Sequence, residues 1–348
     1  MLVKTAGVTR YCYNWGLAKW NEMRKNGEEC SKYTLSKLWT VEKPEWAKEV
    51  SRCPQTRAFM YLGAAFTAFF KKMSGEPHKH KKGKHDSFYI DNTKAWLKGD
   101  RHVHLPNIGD VRMAEALRFS GNIQRYVVSK IADQWYVAIT VEMEDAVPTD
   151  SETAVGIDVG IKHWAVASDG TVLDKPKSID RLEKSLKHAE REKSRRRKGS
   201  RNRRKTIRRI RRLHHRIRCV KMDAVHKFTT AIAKNHGVVC CENLCVAGMK
   251  RSMKAIRRGA QKSCMGEIRR VLAYKSRHYV EIDRWFPSSK RCSKCGHVKE
   301  ELGLDKRTYR CSECGFVLDR DLNASMNIRD EGLRIFTEGH SESACGGC

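Results

Sequence analysis

The chain has 348 residues, enough for two or three domains with at least one sizeable core. Its 70 Lys and Arg against 40 Asp and Glu give a formal net charge of +30, which favours a polyanionic partner because neutralised phosphates release their condensed counterions. No apolar run approaches the roughly 20 residues of a membrane-spanning helix, and the start Met1-Leu-Val-Lys-Thr5 does not read as a signal peptide. Fourteen cysteines in so large a chain therefore point to a reducing cytoplasm rather than a disulfide scaffold.

Residues 1–86 read as helical. Tyr13, Leu17 and Trp20 recur at helical spacing, and Pro54 stands at the start of a helix carrying Phe59, Leu62, Phe66, Phe69 and Phe70. That face is expected to pack a core rather than bind bases. Residues 78–84 form a His- and Lys-rich loop. Residues 87–150 read as β structure, with short strands at 87–90 and 102–105. A hairpin of 124–131 and 134–142 follows, turning at Ala132-Asp133. After a polar linker at 148–153, a new domain is expected from Ala154. Its strands at 155–157, 164–167 and 171–173 form an antiparallel run with Asp158 on the first.

Residues 187–221 hold 18 Lys or Arg and two acids, about half the net charge of the chain. The part from Lys193 to Lys205 reads as a loop or frayed helix. From Thr206, Ile207, Ile210, Leu213, Ile217 and Val220 recur at steps of three and four, which implies a long helix running on through Phe228 and Ile232. Cations this dense repel one another without a polyanion, so the segment is read as a nucleic-acid contact rather than a solvated face. The candidates are Arg195, Arg196, Arg197, Lys198, Arg201, Arg203, Arg204, Lys205, Arg208, Arg209 and Arg212. A strand at 237–241 then ends at Glu242. A basic loop at 250–262, a helix at 263–279 and a strand at 280–286 complete the domain.

Two chemical signals stand out. Cys292-x-x-Cys295 and Cys311-x-x-Cys314 lie 15 residues apart, the spacing of a zinc ribbon. Four thiolates fill a tetrahedron and leave no open position, so the implied Zn²⁺ is structural. Lys290, Arg291, Lys294, Lys306, Arg307 and Arg310 make the ribbon a candidate nucleic-acid contact. Cys345-Gly-Gly-Cys348 has metal-like spacing but no second pair. The other signal is a set of three dispersed carboxylates, Asp158, Glu242 and Asp321. Singly, Asp158 could satisfy turn backbone, Glu242 could cap a helix, and Asp319 or Asp321 could cap or pair with Arg320. Converging carboxylates repel one another, however, and hard oxygen ligands suit Mg²⁺. Two such ions roughly 4 Å apart can activate water and stabilise the leaving oxygen of a phosphodiester.

These motifs resemble the TnpB family, transposon-encoded RNA-guided nucleases ancestral to type V CRISPR effectors. The resemblance rests on Gly156-Ile-Asp158-Val-Gly160, Glu242-Asn-Leu244, Ser288-Ser-Lys-Arg-Cys292 and Tyr309-Arg-Cys311. It rests further on Asp319-Arg-Asp321-Leu-Asn323-Ala, Lys198-Gly-Ser-Arg-Asn-Arg-Arg204 and Ala6-Gly-Val-Thr-Arg10. It implies an α+β multidomain protein: a helical recognition domain (1–86), a barrel-like wedge domain (87–150) and an RNase H-like RuvC nuclease domain (151–286) with the basic segment 187–235. The zinc ribbon (287–318) and the last RuvC motif with the tail (319–348) follow. Asp158, Glu242 and Asp321 match the RuvC carboxylates. The implied partners are a guide RNA from the transposon end and double-stranded DNA bearing a short flanking motif, in a prokaryotic, nucleoid-associated cytoplasmic setting. No membrane partner is implied, and the oligomeric state stays open. One departure is expected: the first barrel strand of the family is missing, because a helix begins almost at Met1. Two other functions remain in view, an RNA-guided DNA-binding regulator that does not cut and an RNase H-like transposase acting without RNA.

Overall fold

A computed structural model describes residues 1–84, 86–144, 151, 153–244, 248, 259, 263–301, 303 and 307–344. The chain divides into two units, Met1–Asp145 and Ala146–Cys348.

The first unit opens with α1 (Leu2–Lys25), α2 (Lys32–Glu42), α3 (Glu45–Lys48) and α4 (Arg52–Phe70). Ser31 starts α2 by accepting a hydrogen bond from the Thr34 amide, as an N-cap serine does. Tyr13, Leu17 and Trp20 pack with Leu35, Trp39, Phe59, Leu62 and Phe66 in one core. Trp20 stacks on Phe66 at 4.4 Å between centroids. The aromatic stripe is thus core, as its spacing predicts, although Phe70 remains exposed. Asn14 ties the 78–84 loop to α1, donating to the His80 carbonyl at 3.0 Å and accepting from its amide at 2.7 Å.

Six strands follow: β1 (Ser87–Asp91), β2 (Trp96–Lys98), β3 (His102–Leu105), β4 (Gly109–Arg112), β5 (Asn122–Ile131) and β6 (Gln134–Glu142). They form two antiparallel sheets, ordered β1-β5-β6 and β2-β3-β4. Ala132 and Asp133 adopt φ of 49° and 71°, the paired positive values of a type I′ hairpin turn. The sheets share a core of Phe88, Ile90, Val103, Leu105, Tyr126 and Val128, against which Leu2 and Ala6 of α1 also pack. The expected barrel is the point of difference: no closed barrel is formed among the described residues. Strands β2 and β4 have three and four residues, too few for alternation to mark them in the sequence.

The second unit is built on β7 (Ala154–Asp158), β8 (Ala165–Ala167), β9 (Val172–Leu173), β10 (Val238–Glu242) and β11 (His278–Ile282). Their order is β11-β10-β7-β8-β9. The first three strands run antiparallel, whereas β10 is parallel to β7 and β11 to β10. This mixed order is that of an RNase H-like sheet. Between β9 and β10 lie two helices in contact, α5 (Lys177–Arg195) and α6 (Arg201–Asn235). The segment expected as a loop or frayed helix over 193–205 ends α5, turns over 196–200 and begins α6. Ser200 caps α6 by accepting from the Arg203 amide at 3.2 Å. Val225, Phe228 and Ile232 of α6 join the sheet core with Val155, Ile157 and Trp164.

Helix α7 (Met265–Lys275) is shorter than the expected 263–279, and β11 stops at Ile282 rather than reaching Phe286. The ribbon holds the hairpin of β12 (Thr308–Arg310) and β13 (Val317–Asp319), and α8 (Arg320–Ala344) closes the fold. Two glycines let α8 lie directly on the sheet. A Cβ at Gly156 of β7 would sit 2.0 Å from the Ser325 carbonyl oxygen, and one at Gly332 of α8 would sit 2.3 Å from the Cys240 sulfur. Apart from Gly259, the basic loop expected at 250–262 lies outside the described residues, as do Lys306 and Cys345-Gly-Gly-Cys348. No described helix is long and apolar enough to cross a membrane.

Candidate functional site

Two of the acids stand at the carboxyl edge of the β7–β11 sheet. Ile157 of β7 pairs with Cys241 of the parallel strand β10, so the next residues, Asp158 and Glu242, stand side by side at the strand ends. Both are half-buried. The third acid arrives on α8. Its backbone crosses Gly156 at Ser325 and Arg329, and Asp321 lies one helical turn before Ser325. The Asp158 carboxyl is pushed up to about 8 by burial first and then by Glu242 and Asp321, with Arg320 opposing. Burial also raises Glu242, against the Ser288 hydroxyl and Arg269. Burial and the neighbouring acids thus disfavour the ionised form of Asp158, while among the described residues only the four ribbon cysteines bring metal-ligating atoms within 4.8 Å of one another.

Asp319 and Asp321 have different tasks. The Asp319 carboxylate accepts from the backbone amides of Asp321 at 2.9 Å and Leu322 at 3.1 Å, which makes it the cap of α8. Asp321 sits in the first turn, and both acids help raise Asp158, Asp321 more than Asp319.

The four ribbon cysteines meet as their spacing predicts. All four sulfurs lie within 4.8 Å of one another, with Cys292–Cys314 at 3.7 Å and Cys295–Cys311 at 3.6 Å. A zinc tetrahedron with 2.3 Å bonds requires sulfurs about 3.8 Å apart, so the residues present fit the ion. The Cys311 thiol is pulled down to about 6, chiefly by the Cys314 backbone amide. Gly296 and Gly315, which follow the two knuckles, adopt φ of 79° and 65°, where a side chain would strain the backbone.

The ribbon is fastened to the acid-bearing helix. Buried Asn323 of α8 accepts from the Ser293 amide at 3.0 Å and donates to the Arg291 carbonyl at 2.7 Å. Asn327 donates to the carbonyls of Ser288 at 2.8 Å and Arg291 at 2.7 Å. Ser288 in turn donates its hydroxyl to Glu242. Behind Glu242, Arg269 of α7 donates to the Leu244 carbonyl at 2.7 Å and to Glu281 at 2.6 Å. Ser288 and Asn323 lay within motifs visible in the sequence and Asn327 lay beyond them, and their partners are set by tertiary contacts that spacing does not report.

The candidate cations are placed unevenly. Arg195, Arg197, Lys198, Arg201, Arg204, Lys205, Arg208, Arg209 and Arg212 are exposed, whereas Arg203 is half-buried. Arg196 bridges the two helices, donating to the Asn202 carbonyl at 2.6 Å and Thr206 at 2.7 Å beside Glu192. In the first unit, Arg10 pairs with Asp86 at 2.6 Å. On the ribbon, Lys290 donates to the Glu300 carbonyl at 2.7 Å, and the Arg291 guanidinium lies 5.8 Å from the Phe286 ring centre.

The sheet order is that of an RNase H-like fold, and a Cys₄ cluster compatible with a zinc ribbon stands between its last strand and α8. A family model described as a probable transposase matches residues 138–253. A Cas12f1-like TNB domain matches 266–328. A helix-turn-helix model matches 1–29, a stretch that here is the single helix α1 and the turn after it. The "Putative RNA-guided DNA endonuclease InsQ" of Escherichia coli strain K12 is 31% identical over 98% of this chain and 89% of its own. A protein of Streptomyces pristinaespiralis with the same functional name is 33% identical over 99% of this chain and 87% of its own. The Cas12f1 chain from a solved complex with sgRNA and target DNA aligns with a TM-score of 0.57 at 14% identity, covering 94% of this chain and 81% of that one. The chain belongs to the TnpB family.

Proposed function

We propose that this protein is an RNA-guided DNA endonuclease that hydrolyses phosphodiester bonds at the Asp158–Glu242–Asp321 site. The observation that supports the reading is that Asp158 and Glu242 end adjacent parallel strands beneath the helix that carries Asp321, which crosses β7 at Gly156, in a chain whose relatives bear that functional name. Asp158, Glu242 and Asp321 would hold two Mg²⁺ ions, which when bound supply water activation and stabilisation of the leaving oxygen. Ser288 and Arg269 hold Glu242 and the segment after it in place, and the Asp319 cap fixes the start of the helix that carries Asp321.

The exposed cations of α5 and α6 hold the phosphate backbone of the guide and its heteroduplex, and the ribbon's Lys290 and Arg291 contribute to target binding. Arg10, in its pair with Asp86, belongs to a recognition and wedge region formed by residues 1–150. The guide derives from the transposon end, and the target is double-stranded DNA with a short flanking motif, in the prokaryotic nucleoid. Sequence is then read mainly by base pairing. The test is to purify the protein from cells carrying its native flanking DNA and sequence the RNA that accompanies it. One dominant RNA whose 3′ end runs past the element boundary supports a guide. Heterogeneous RNA, or none, refutes the reading.

A further inference from the structure

The sequence reads as a strand through residue 286, but β11 ends at Ile282, and this change exposes an aromatic side chain beside the acids. Ile282 pairs with Glu242 across the parallel strands. Six residues later Ser288 donates its hydroxyl to the same Glu242. The intervening loop therefore leaves Glu242 and returns to it, with Trp285 near its apex. The Trp285 side chain is 83% exposed, the most exposed tryptophan given for the described residues. Neither end of the loop is slack. Asp283 accepts from the Trp285 amide at 2.7 Å, the Phe286 amide donates to the Asp283 carbonyl at 3.2 Å, and Phe286 packs inward against the Ile282 and Ile328 cluster. Each end lies about 10 Å or less of extended chain from Trp285.

A hydrogen-bonded turn that holds an indole out in water, between two residues that meet Glu242, serves no packing purpose in the fold. Its flat apolar face suits the face of an unpaired base, and the exposed Arg284 beside it suits a phosphate. We propose that Trp285 is a substrate-positioning residue: it stacks on an unpaired base of the strand whose phosphodiester enters the Asp158–Glu242–Asp321 site. The assignment rests on the proposed nuclease reading for its consequence, but not for its binding.

The test uses the full-length protein with its co-purified RNA in chelator-free, magnesium-free buffer. A dye-labelled oligothymidylate unmatched to the RNA is titrated by anisotropy, with the same tract in duplex form as comparison. Trp285→Ala is expected to weaken single-strand binding about tenfold or more. Trp285→Phe should retain most of the affinity, duplex binding should hardly move, and the melting temperature of both variants should match that of the parent. In cleavage assays, Trp285→Ala should raise KM for the target about as much as it weakens binding. Unchanged single-strand affinity in Trp285→Ala overturns the proposal. So does equal loss in the Ala and Phe variants, or a lowered melting temperature, either of which gives the indole a structural role. A parent protein that binds the oligonucleotide through Trp285 yet never cuts DNA would overturn the nuclease reading and leave the stacking site standing.

Discussion

Helix α8 carries one of the three acids, and its height above the sheet is set at Gly156. A methyl group there would lie 2.0 Å from the Ser325 carbonyl oxygen, 2.4 Å from the Arg329 amide nitrogen and 3.0 Å from the Arg329 Cα. All three are backbone atoms, so no side chain can swing away. Relief requires α8 to rise by more than 1 Å before an ordinary contact of about 3.5 Å returns. Overpacking of this kind costs roughly 1–3 kcal/mol and more where backbone must shift, so Gly156→Ala should cost about 3 kcal/mol or more. A loss of that size lowers the melting temperature by roughly 6–12 °C in a domain of this scale. Because Asp321 lies one turn from Ser325, the same rise carries it away from Asp158, and an error of about 1 Å at a reacting centre can cost on the order of 100-fold in rate. Gly266 of α7 is the control, since a Cβ there meets nothing within 4 Å. Gly266→Ala should leave cleavage unchanged and stabilise by about 0.4–1 kcal/mol. Both are read by thermal melting and by single-turnover cleavage. Gly156→Ala with parental melting and parental rate would mean that α8 does not rest on β7 in this way.

The two neighbouring acids should separate cleanly on substitution. Asp319→Ala removes a cap and should cost about 1 kcal/mol in thermal melting while leaving measurable cleavage, whereas Asp321→Ala should abolish cleavage with little loss of stability; the reverse pattern exchanges their roles. The pH dependence of stability without metal follows from Asp158. Its folded value of about 8 exceeds the unfolded carboxyl value, so its protonation favours the folded state, and this contribution fades as pH rises towards and through 8. Asp158→Asn should therefore gain stability over the parent as pH rises from 5 to 9 in metal-free melts, and a constant difference across that range would contradict the shift. Removing zinc with a chelator, or substituting Cys311→Ser, should loosen more than the ribbon. Asn323, Asn327 and Ser288 link it to α8 and Glu242, so hydrogen exchange should rise in the first turns of α8 as well as in 288–316. Exchange confined to the ribbon would show that the links carry no load.

Local rules made part of this molecule readable from its sequence. The cysteine spacing, the Ala132-Asp133 turn and the aromatic stripes of α1 and α4 each depend on neighbours a few residues away, and each appears as its pattern indicates. The acids could be nominated, because Asp158 and Glu242 close apolar strand runs. The placement of β7 and β10 side by side and of α8 across them depends on parallel register and on the approach at Gly156, and no local pattern encodes either. Asp321 was preferred to Asp319 from the family motif rather than from local pattern, since both precede a helix, and the hydrogen bonds to the amides of Asp321 and Leu322 show that Asp319 is the cap. The strand misread through residue 286 follows from the apolar Trp285 and Phe286, which look like strand residues but take opposite sides of an Asp283-anchored turn. A barrel was expected from family likeness rather than from periodicity, and short strands such as β2 and β4 leave periodicity little to work with.

The central claim is guided cleavage by the three acids. The protein with its co-purified RNA should be incubated with Mg²⁺ and two plasmids, one carrying a match to the variable end of that RNA beside a library of flanking sequences, and one without the match. Cutting restricted to the matched plasmid, lost in Asp158→Ala while the RNA still co-purifies, is the predicted result. Equal cutting by Asp158→Ala, or cutting that ignores the match, would contradict it.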